Sequence, residues 1–314
     1  MTVDCHNAAL ALLTHDNFLL VSHKNPDGDT LGSCAGLCLA LRRAGKTAFM
    51  FPNPQITDKF MPFVGEYLAD DDFRADYIIA VDVAAEDMFC RGFSGKVNLC
   101  IDHHPTNPKY AELNLICPES SSTGEIILNM IEEIHGDVTE KEADLLYIAL
   151  STDTGCFQYG NTNADSFRAA ARLADYGASF QRLNVMFFRK VTSARIKLES
   201  MIYSGMRLYR EGKVVLSTVT LDMLSQSGAK DEDLDDIASL PGRIMGEIVG
   251  ISIRQLEEKK CKVSVRTASK DISASQICMM YGGGGHDMAA GCTIEAGPER
   301  TAELILAAVD EVYK

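Results

Sequence analysis

The chain has 314 residues, 46% of them hydrophobic, and a formal net charge of −14 from 44 acidic and 30 basic side chains. That length suits two globular domains with full cores. The charge argues against a long nucleic acid as partner, because affinity for one comes mainly from neutralising phosphates. A phosphate-bearing ligand must then be small or be met by a local group of cations, and a divalent metal is a natural source of the missing positive charge.

The ten cysteines contain no CxxC, and most sit in apolar runs, as do Cys34, Cys38, Cys100 and Cys278. They read as core residues of a protein in a reducing cytoplasm, not as a disulfide or metal framework. Residues 1–15 lack the basic region of a signal peptide. No apolar run approaches the ~20 residues needed to span a bilayer, so no membrane partner is expected.

A helix is predicted over residues 5–13 and a strand over 18–22. The loop His23-Lys24-Asn25-Pro26-Asp27-Gly28-Asp29 follows, and Gly28 is expected to let it turn tightly so that its side chains converge. The next helix carries Leu31, Cys34, Ala35, Cys38 and Leu41 on one face and ends at Gly45 after Arg42 and Arg43. A strand over 47–51 precedes an irregular segment, 53–72. Strand 77–81 delivers Asp82, and strand 97–101 delivers Asp102, His103 and His104, with Pro105 ending regular structure. After a short strand, 112–117, Ser122-Thr123-Gly124-Glu125 reads as a capping box for a helix to 134, closed by Gly136. Thr139 and Glu142 form a second box for a helix through Leu150, which runs into Ser151-Thr152-Asp153-Thr154-Gly155. A helix over 164–176, capped by Gly177, brings this domain to a close near residue 185.

Apolar strands alternating with helices predict an α/β domain with a parallel sheet covered on both faces. Residues 186–204, free of Gly and Pro, read as a helical linker. Residues 205–314 then form a smaller α/β domain. In it, strands 206–209 and 214–219 make one hairpin, and strands 250–255 and 261–267 a second. The acidic stretch 231–236 reads as a solvated helix face. A short helix over 274–281 meets Gly282-Gly283-Gly284-Gly285-His286, a run read as too flexible to be a strand, and the last helix spans 299–313. The cleft between the two domains is the expected active site.

Asp27 and Asp29 are separated only by Gly28, with His23 four residues before Asp27. Carboxylates this close repel unless a pKa shifts or a cation intervenes. Asp82 is expected at the same sheet edge as Asp102, His103 and His104, where open α/β sheets bind ligands. Asp153 sits at a helix C-terminus, which disfavours an anion. Singly, each also fits a cap, a hydrogen-bonded histidine or an exposed loop. Jointly they offer oxygen and nitrogen donors without a thiolate, which suits Mn²⁺ or Mg²⁺ better than structural zinc. They are numerous enough for two ions, the recurrent arrangement in phosphoester hydrolysis. The amides of the glycine run, bracketed by Arg266 and His286, could cradle a phosphate. Arg266 taken alone reads better as a solvent-facing strand residue.

The segments Ser22-His23-Lys24-Asn25-Pro26-Asp27-Gly28-Asp29, Val81-Asp82, Asp102-His103-His104 and Ser151-Thr152-Asp153-Thr154-Gly155 resemble, in order, the motifs of the DHH phosphoesterase family. Val263-Ser264-Val265-Arg266 and Gly282-Gly283-Gly284-Gly285-His286, followed by Ala289-Ala290-Gly291, resemble its associated DHHA1 domain. Within the family the chain looks most like the compact NrnA-like group of bifunctional oligoribonucleases (nanoRNases) and pAp phosphatases. The resemblance implies that His23 and Asp27 hold one Mn²⁺, that Asp29, His103 and Asp153 hold another, and that Asp82 bridges the two. Mg²⁺ and Co²⁺ are the alternative metals. It implies that Asp102 orients an imidazole, and that His104 faces the scissile phosphate and protonates the leaving oxygen. Arg266, Gly283, Gly284, Gly285 and His286 would contact the substrate's nucleotide or terminal phosphate. The implied activity is cytoplasmic hydrolysis of di- to pentanucleotide RNA of pApA type, of 3′-phosphoadenosine 5′-phosphate, or of both. Linear or cyclic dinucleotide signals, polyphosphate or pyrophosphate, and a nucleotide-binding module without chemistry are the alternatives. The glycine run speaks against a pyrophosphatase. A homodimer is compatible with this reading. One departure is visible: the family often has an arginine about six residues after Asp82, and here the first is Arg91.

Overall fold

The computed structural model describes residues 1–269 and 271–313, which divide into two units, Met1–Lys190 and Val191–Lys314. Unit 1 runs α1 (Cys5–Thr14), β1 (Phe18–Val21), α2 (Gly28–Arg43), β2 (Ala48–Met50), α3 (Met61–Val64), β3 (Tyr77–Val81), β4 (Leu99–Asp102) and β5 (Leu113–Ile116). It continues with α4 (Thr123–His135), α5 (Glu140–Asp153), α6 (Ala164–Asp175) and α7 (Phe180–Asn184). Its five strands are all parallel, in the order β2-β1-β3-β4-β5. The strands are apolar because helices and loops cover both faces; Phe18, Leu20, Ile79 and Ile101 are fully buried. The strand order reverses between β1 and β3, the position at which open α/β sheets bind ligands beyond the carboxyl ends of their strands. Helices α2, α4 and α5 pack closely at glycines. A Cβ on Gly32 would lie 2.4 Å from the Leu145 carbonyl oxygen, and one on Gly124 2.5 Å from the Ala149 Cβ.

Unit 2 contains α8 (Ser193–Ser204), β6 (Arg207–Tyr209), β7 (Val214–Val219), α9 (Leu221–Ser227), β8 (Val249–Glu257) and β9 (Lys260–Thr267). It ends with α10 (Ala274–Met279), β10 (Gly284–His286), β11 (Ala289–Ile294) and α11 (Pro298–Val312). The six-stranded sheet has the order β10-β11-β9-β8-β7-β6, and among the described residues only β7 and β8 pair in parallel. One face buries Ile251, Ile253, Val263 and Val265 in a core shared with Ile277 of α10 and Ile305 of α11. No helix among the described residues is long and apolar enough to cross a membrane.

Several expectations need correction. Residues 186–204 are not one helix. A π-turn, Val185–Arg189, ends at an extended Lys190, and α8 begins afresh with Thr192 as its cap. The side-chain oxygen of Thr192 accepts from the Arg195 amide, offering the backbone an alternative to helix continuation. The acidic stretch is a short 3-10 turn, Asp231–Leu234, and Asp233 is buried, accepting from the Thr192 hydroxyl and the Lys230 amide. Ser122 caps α4, but Glu125 reaches back to Ser121 instead of closing the box. Thr139 and Glu142 do form a reciprocal box. The glycine run is not too flexible for a strand, since Gly284, Gly285 and His286 form β10. A Cβ on Gly283 would lie 2.2 Å from the Gly291 carbonyl oxygen, so glycine is needed there for close approach to β11. Gly28 has the same kind of role. It is the first residue of α2, and a Cβ would lie 2.3 Å from Thr152 Oγ1.

Candidate metal centre

Strand β1 leads into His23, and Asp27 caps α2 by accepting from the amides of Asp29 and Thr30. His23 Nδ1 lies 2.7 Å from the Lys24 carbonyl oxygen, which can only accept, so Nδ1 carries the proton. The Nε2 lone pair is left beside Asp27 Oδ1 at 3.7 Å and Asp82 Oδ2 at 3.6 Å. His103 is arranged alike. Its Nδ1 donates to the Ser120 carbonyl oxygen at 3.1 Å. Its Nε2 lies 3.9 Å from Asp29 Oδ2, 3.7 Å from Asp82 Oδ1 and 3.6 Å from Asp153 Oδ2. These separations are too long for hydrogen bonds. They match two donors sharing one ion, since atoms about 2.1 Å from a cation lie about 3–4 Å apart. Asp82 thus turns one carboxylate oxygen toward each histidine.

Asp82 follows β3 directly and adopts φ +59, a left-handed conformation uncommon for a residue with a side chain. Its amide donates to the Ile101 carbonyl oxygen at 2.9 Å, and the Thr123 hydroxyl donates to its Oδ1 at 3.0 Å. Asp29, in the first turn of α2, is buried and accepts from the amides of Thr123 at 2.7 Å and Gly124 at 3.0 Å and from the Ser33 hydroxyl at 3.1 Å. Those amides are the free donors at the N-terminus of α4, where the helix dipole favours an anion. Asp153 is the last residue of α5, and the Asn161 side chain donates Nδ2–H to its Oδ2 at 3.2 Å.

Burial pushes the carboxyls of Asp29, Asp82 and Asp153 above the usual carboxylate range; neighbouring carboxylates push Asp29 and Asp82 further, whereas at Asp153 the adjacent His103 opposes the rise. Desolvation by the crowded site acts the same way on Asp27, but the neighbouring His23 imidazole and the hydrogen bonds from the Thr30 and Asp29 amides bring it below its ordinary value. Carboxylates converging on imidazoles whose Nε2 lone pairs are uncommitted fit one or more hard divalent cations, and no thiol belongs to the set.

Asp102 plays another part. It is fully buried, and its Oδ1 accepts from the His103 amide at 2.9 Å and His104 Nδ1 at 2.7 Å, while its Oδ2 accepts from Asn107 Nδ2 at 2.6 Å. Burial works to raise its pKa, but the bonds from His104 and Asn107 hold it below the ordinary value. The hydrogen bond to Asp102 in turn raises the pKa of His104, with burial opposing. His104 Nδ1 lies 3.7 Å from Asp82 Oδ1, but its proton is committed to Asp102. Asn107, Thr123 and Asn161 were not singled out as site residues from the sequence, where side-chain amides and hydroxyls in loops and helix starts carry no distinguishing pattern.

Arg266, Gly284, Gly285 and His286 lie in unit 2. The register His286↔Ala289↔Arg266 sets His286 and Arg266 in one row across β10, β11 and β9, and Gly283 immediately precedes β10.

Residues 17–150 match the DHH family, N-terminal domain, and residues 211–314 match the DHHA1 domain. The chain is 30% identical over 307 residues to the bifunctional oligoribonuclease and PAP phosphatase NrnA of Thermus thermophilus, a match covering 93% of this chain and 89% of that one. It is 27% identical over 308 residues to the Bacillus subtilis protein of the same name, covering 96% of each. Among solved structures, an exopolyphosphatase-related protein from Bacteroides fragilis shares the fold, with a TM-score of 0.86 at 22% identity over 98% of this chain and 96% of that one.

Proposed function

The chain belongs to the two-domain DHH–DHHA1 family of phosphoester hydrolases, and from that premise we propose that it converts short oligoribonucleotides of pApA type to mononucleotides and 3′-phosphoadenosine 5′-phosphate to AMP, with Mn²⁺ as its metal. The observation that carries the reading is Asp82, whose two oxygens lie 3.6 Å from His23 Nε2 and 3.7 Å from His103 Nε2. In this reading His23 and Asp27 hold one ion, Asp29, His103 and Asp153 hold a second, and Asp82 is shared. Two such ions, when bound, supply a low-pKa water and neutralise charge gathering on the phosphoryl oxygens.

The chain's own groups do the rest. Asp102 fixes the His104 ring through Nδ1 and favours its protonated form, so that His104 can give a proton to the leaving oxygen. Arg266, His286 and the glycines Gly283 to Gly285 bind the nucleotide or its terminal phosphate. The named activities of the relatives and the net charge of −14 both favour small phosphonucleotides over long strands. Ten unpaired cysteines suit a cytoplasmic setting.

The test is a panel of pApA, 3′-phosphoadenosine 5′-phosphate, a cyclic dinucleotide, pyrophosphate and polyphosphate, each assayed with Mn²⁺, Mg²⁺ and Co²⁺. AMP should be released from the first two, fastest with Mn²⁺, and Asp82→Ala should reduce turnover to background while circular dichroism stays native. Faster hydrolysis of pyrophosphate or polyphosphate, or an active Asp82→Ala variant, would reject the reading.

A further inference from the structure

The polar face of the unit 2 sheet holds more positive charge than a single phosphate needs. Opposite residues in a sheet share a face. The register Arg254↔Lys262 and Ser252↔Ser264 between β8 and β9, with Gly250↔Arg266 next, therefore puts Arg254, Lys262, Ser264 and Arg266 on one side. The apolar residues between them face the core on the other side.

Three observations concern Arg254 and Lys262. The two cations stand directly opposite each other across the strands, an arrangement that destabilises a sheet when nothing compensates it. Lys262 makes no hydrogen bond or ion pair among the described residues. Arg254 gives Nη2 to Asp231 at 2.8 Å, on a side chain 92% exposed, but its Nε is buried without an acceptor. A buried donor left unpaired costs about 1–3 kcal/mol and asks for an acceptor. Beside the pair lies a cavity of about 100 Å³, lined by Ser252, Ser264, Arg254 and Lys262 together with the apolar Val219, Leu234, Ile237 and Ala238. Cations, hydroxyls and an orphan N–H around a small hollow suit a tetrahedral oxyanion.

Ser264 lies between Arg266 and Lys262 on β9, about 6.7 Å along the strand from each. Two long cationic side chains flanking it can meet two phosphoryl groups of one ligand at once. Resting on the phosphonucleotide reading above, we propose that Lys262 and Arg254 form a second phosphate subsite beside the one assigned to Arg266 and His286. It takes an additional phosphoryl group of the substrate. Two sources share that chemistry: the next internucleotide phosphate of a longer oligonucleotide, and a further phosphate on the 5′ terminus.

The experiment measures equilibrium binding of pApA, pApApA and 5′-triphosphorylated pppApA by calorimetry. It uses the full chain carrying Asp82→Ala, so that ligand is not consumed, with and without Lys262→Gln. Lys262→Gln should weaken either pApApA or pppApA about 10-fold more than it weakens pApA, and the ligand that responds identifies the source. For that ligand the dependence of log Kd on log salt should flatten by about 0.7–1, the loss of one phosphate contact. Lys262→Arg should restore binding. Equal effects on all three ligands, or none, would overturn the subsite. Turnover of pApA and 3′-phosphoadenosine 5′-phosphate by the wild-type preparation is recorded in parallel. Turnover with no selective binding effect removes the subsite and leaves the proposed function standing. A selective binding effect without turnover does the reverse.

Discussion

Asp102 is buried, negatively charged and three times hydrogen-bonded, and the bonds to His104 and Asn107 have separate consequences. The bond to His104 is the first cause of that histidine's raised pKa, so the ring keeps its proton to higher pH than a free imidazole. If the protonated ring is the acid, activity should fall as pH rises through that raised value. Asp102→Asn removes the anion, so the alkaline limb of the kcat profile should move to lower pH, and an unmoved limb would exclude His104 as the acid. The bond from Asn107 keeps the other oxygen satisfied. Asn107→Leu should cost about 1–3 kcal/mol of stability and lower kcat about 10- to 100-fold with metal content retained, as losing the partner of a positioned group does. Thermal melts, kcat and metal analysis of the purified variant check this. The acids and histidines were legible in the sequence because such residues rarely end an apolar strand without a reason. Asn107, Thr123 and Asn161 were not, because loops and helix starts are full of side chains like theirs and only the folded contacts single these out.

Helix α4 acts on the centre through its first two amides, both given to Asp29. Their position depends on how closely α4 sits on α5, and Gly124 sets that distance. Gly124→Ala would place a Cβ 2.5 Å from the Ala149 Cβ, so the helices must part. Overpacking of this kind costs about 1–3 kcal/mol, and withdrawing two amides from Asp29 should also weaken metal binding. The variant should melt lower and need more Mn²⁺ for half-maximal activity. Ala149→Gly in the same chain should recover most of both losses, a coupling that separates crowding from a change in helix propensity. The parallel strands and most helices were readable from apolar periodicity and capping residues. The strand β10 and the break before α8 were not. Periodicity describes one segment at a time, whereas glycines 283–285 are chosen by how near β11 comes, and Thr192 by competition between two local hydrogen-bonding patterns.

The two units followed from length and composition, but the strand orders did not, since pairing depends on contacts remote in sequence. What the assembled fold does is force like charges together. Asp29, Asp82 and Asp153 arrive from α2, β3 and α5, and burial, joined at Asp29 and Asp82 by repulsion from neighbouring carboxylates, raises their pKa values above the unfolded value of 3.8. A raised folded pKa means that the metal-free fold binds more protons than the unfolded chain. The stability these groups contribute is complete below about pH 3.8 and is lost as pH rises through their folded values. A bound divalent cation reverses the sign, because ligation requires the ionised forms. The melting temperature gained on adding Mn²⁺ to chelator-treated protein should therefore grow from pH 5 to pH 7.5. Other carboxylates, Asp27 and Asp102 among them, shift the opposite way and destabilise the fold in acid, so the informative quantity is a difference between variants. Without metal, Asp82→Asn should melt higher than wild type at pH 7.5, by about 2–8 °C for about 1–3 kcal/mol. The gap should close toward pH 4, and in saturating Mn²⁺ the order should invert. A variant that melts lower than wild type at every pH without metal would show that Asp82 is held by its hydrogen bonds alone, with no repulsion for a cation to relieve.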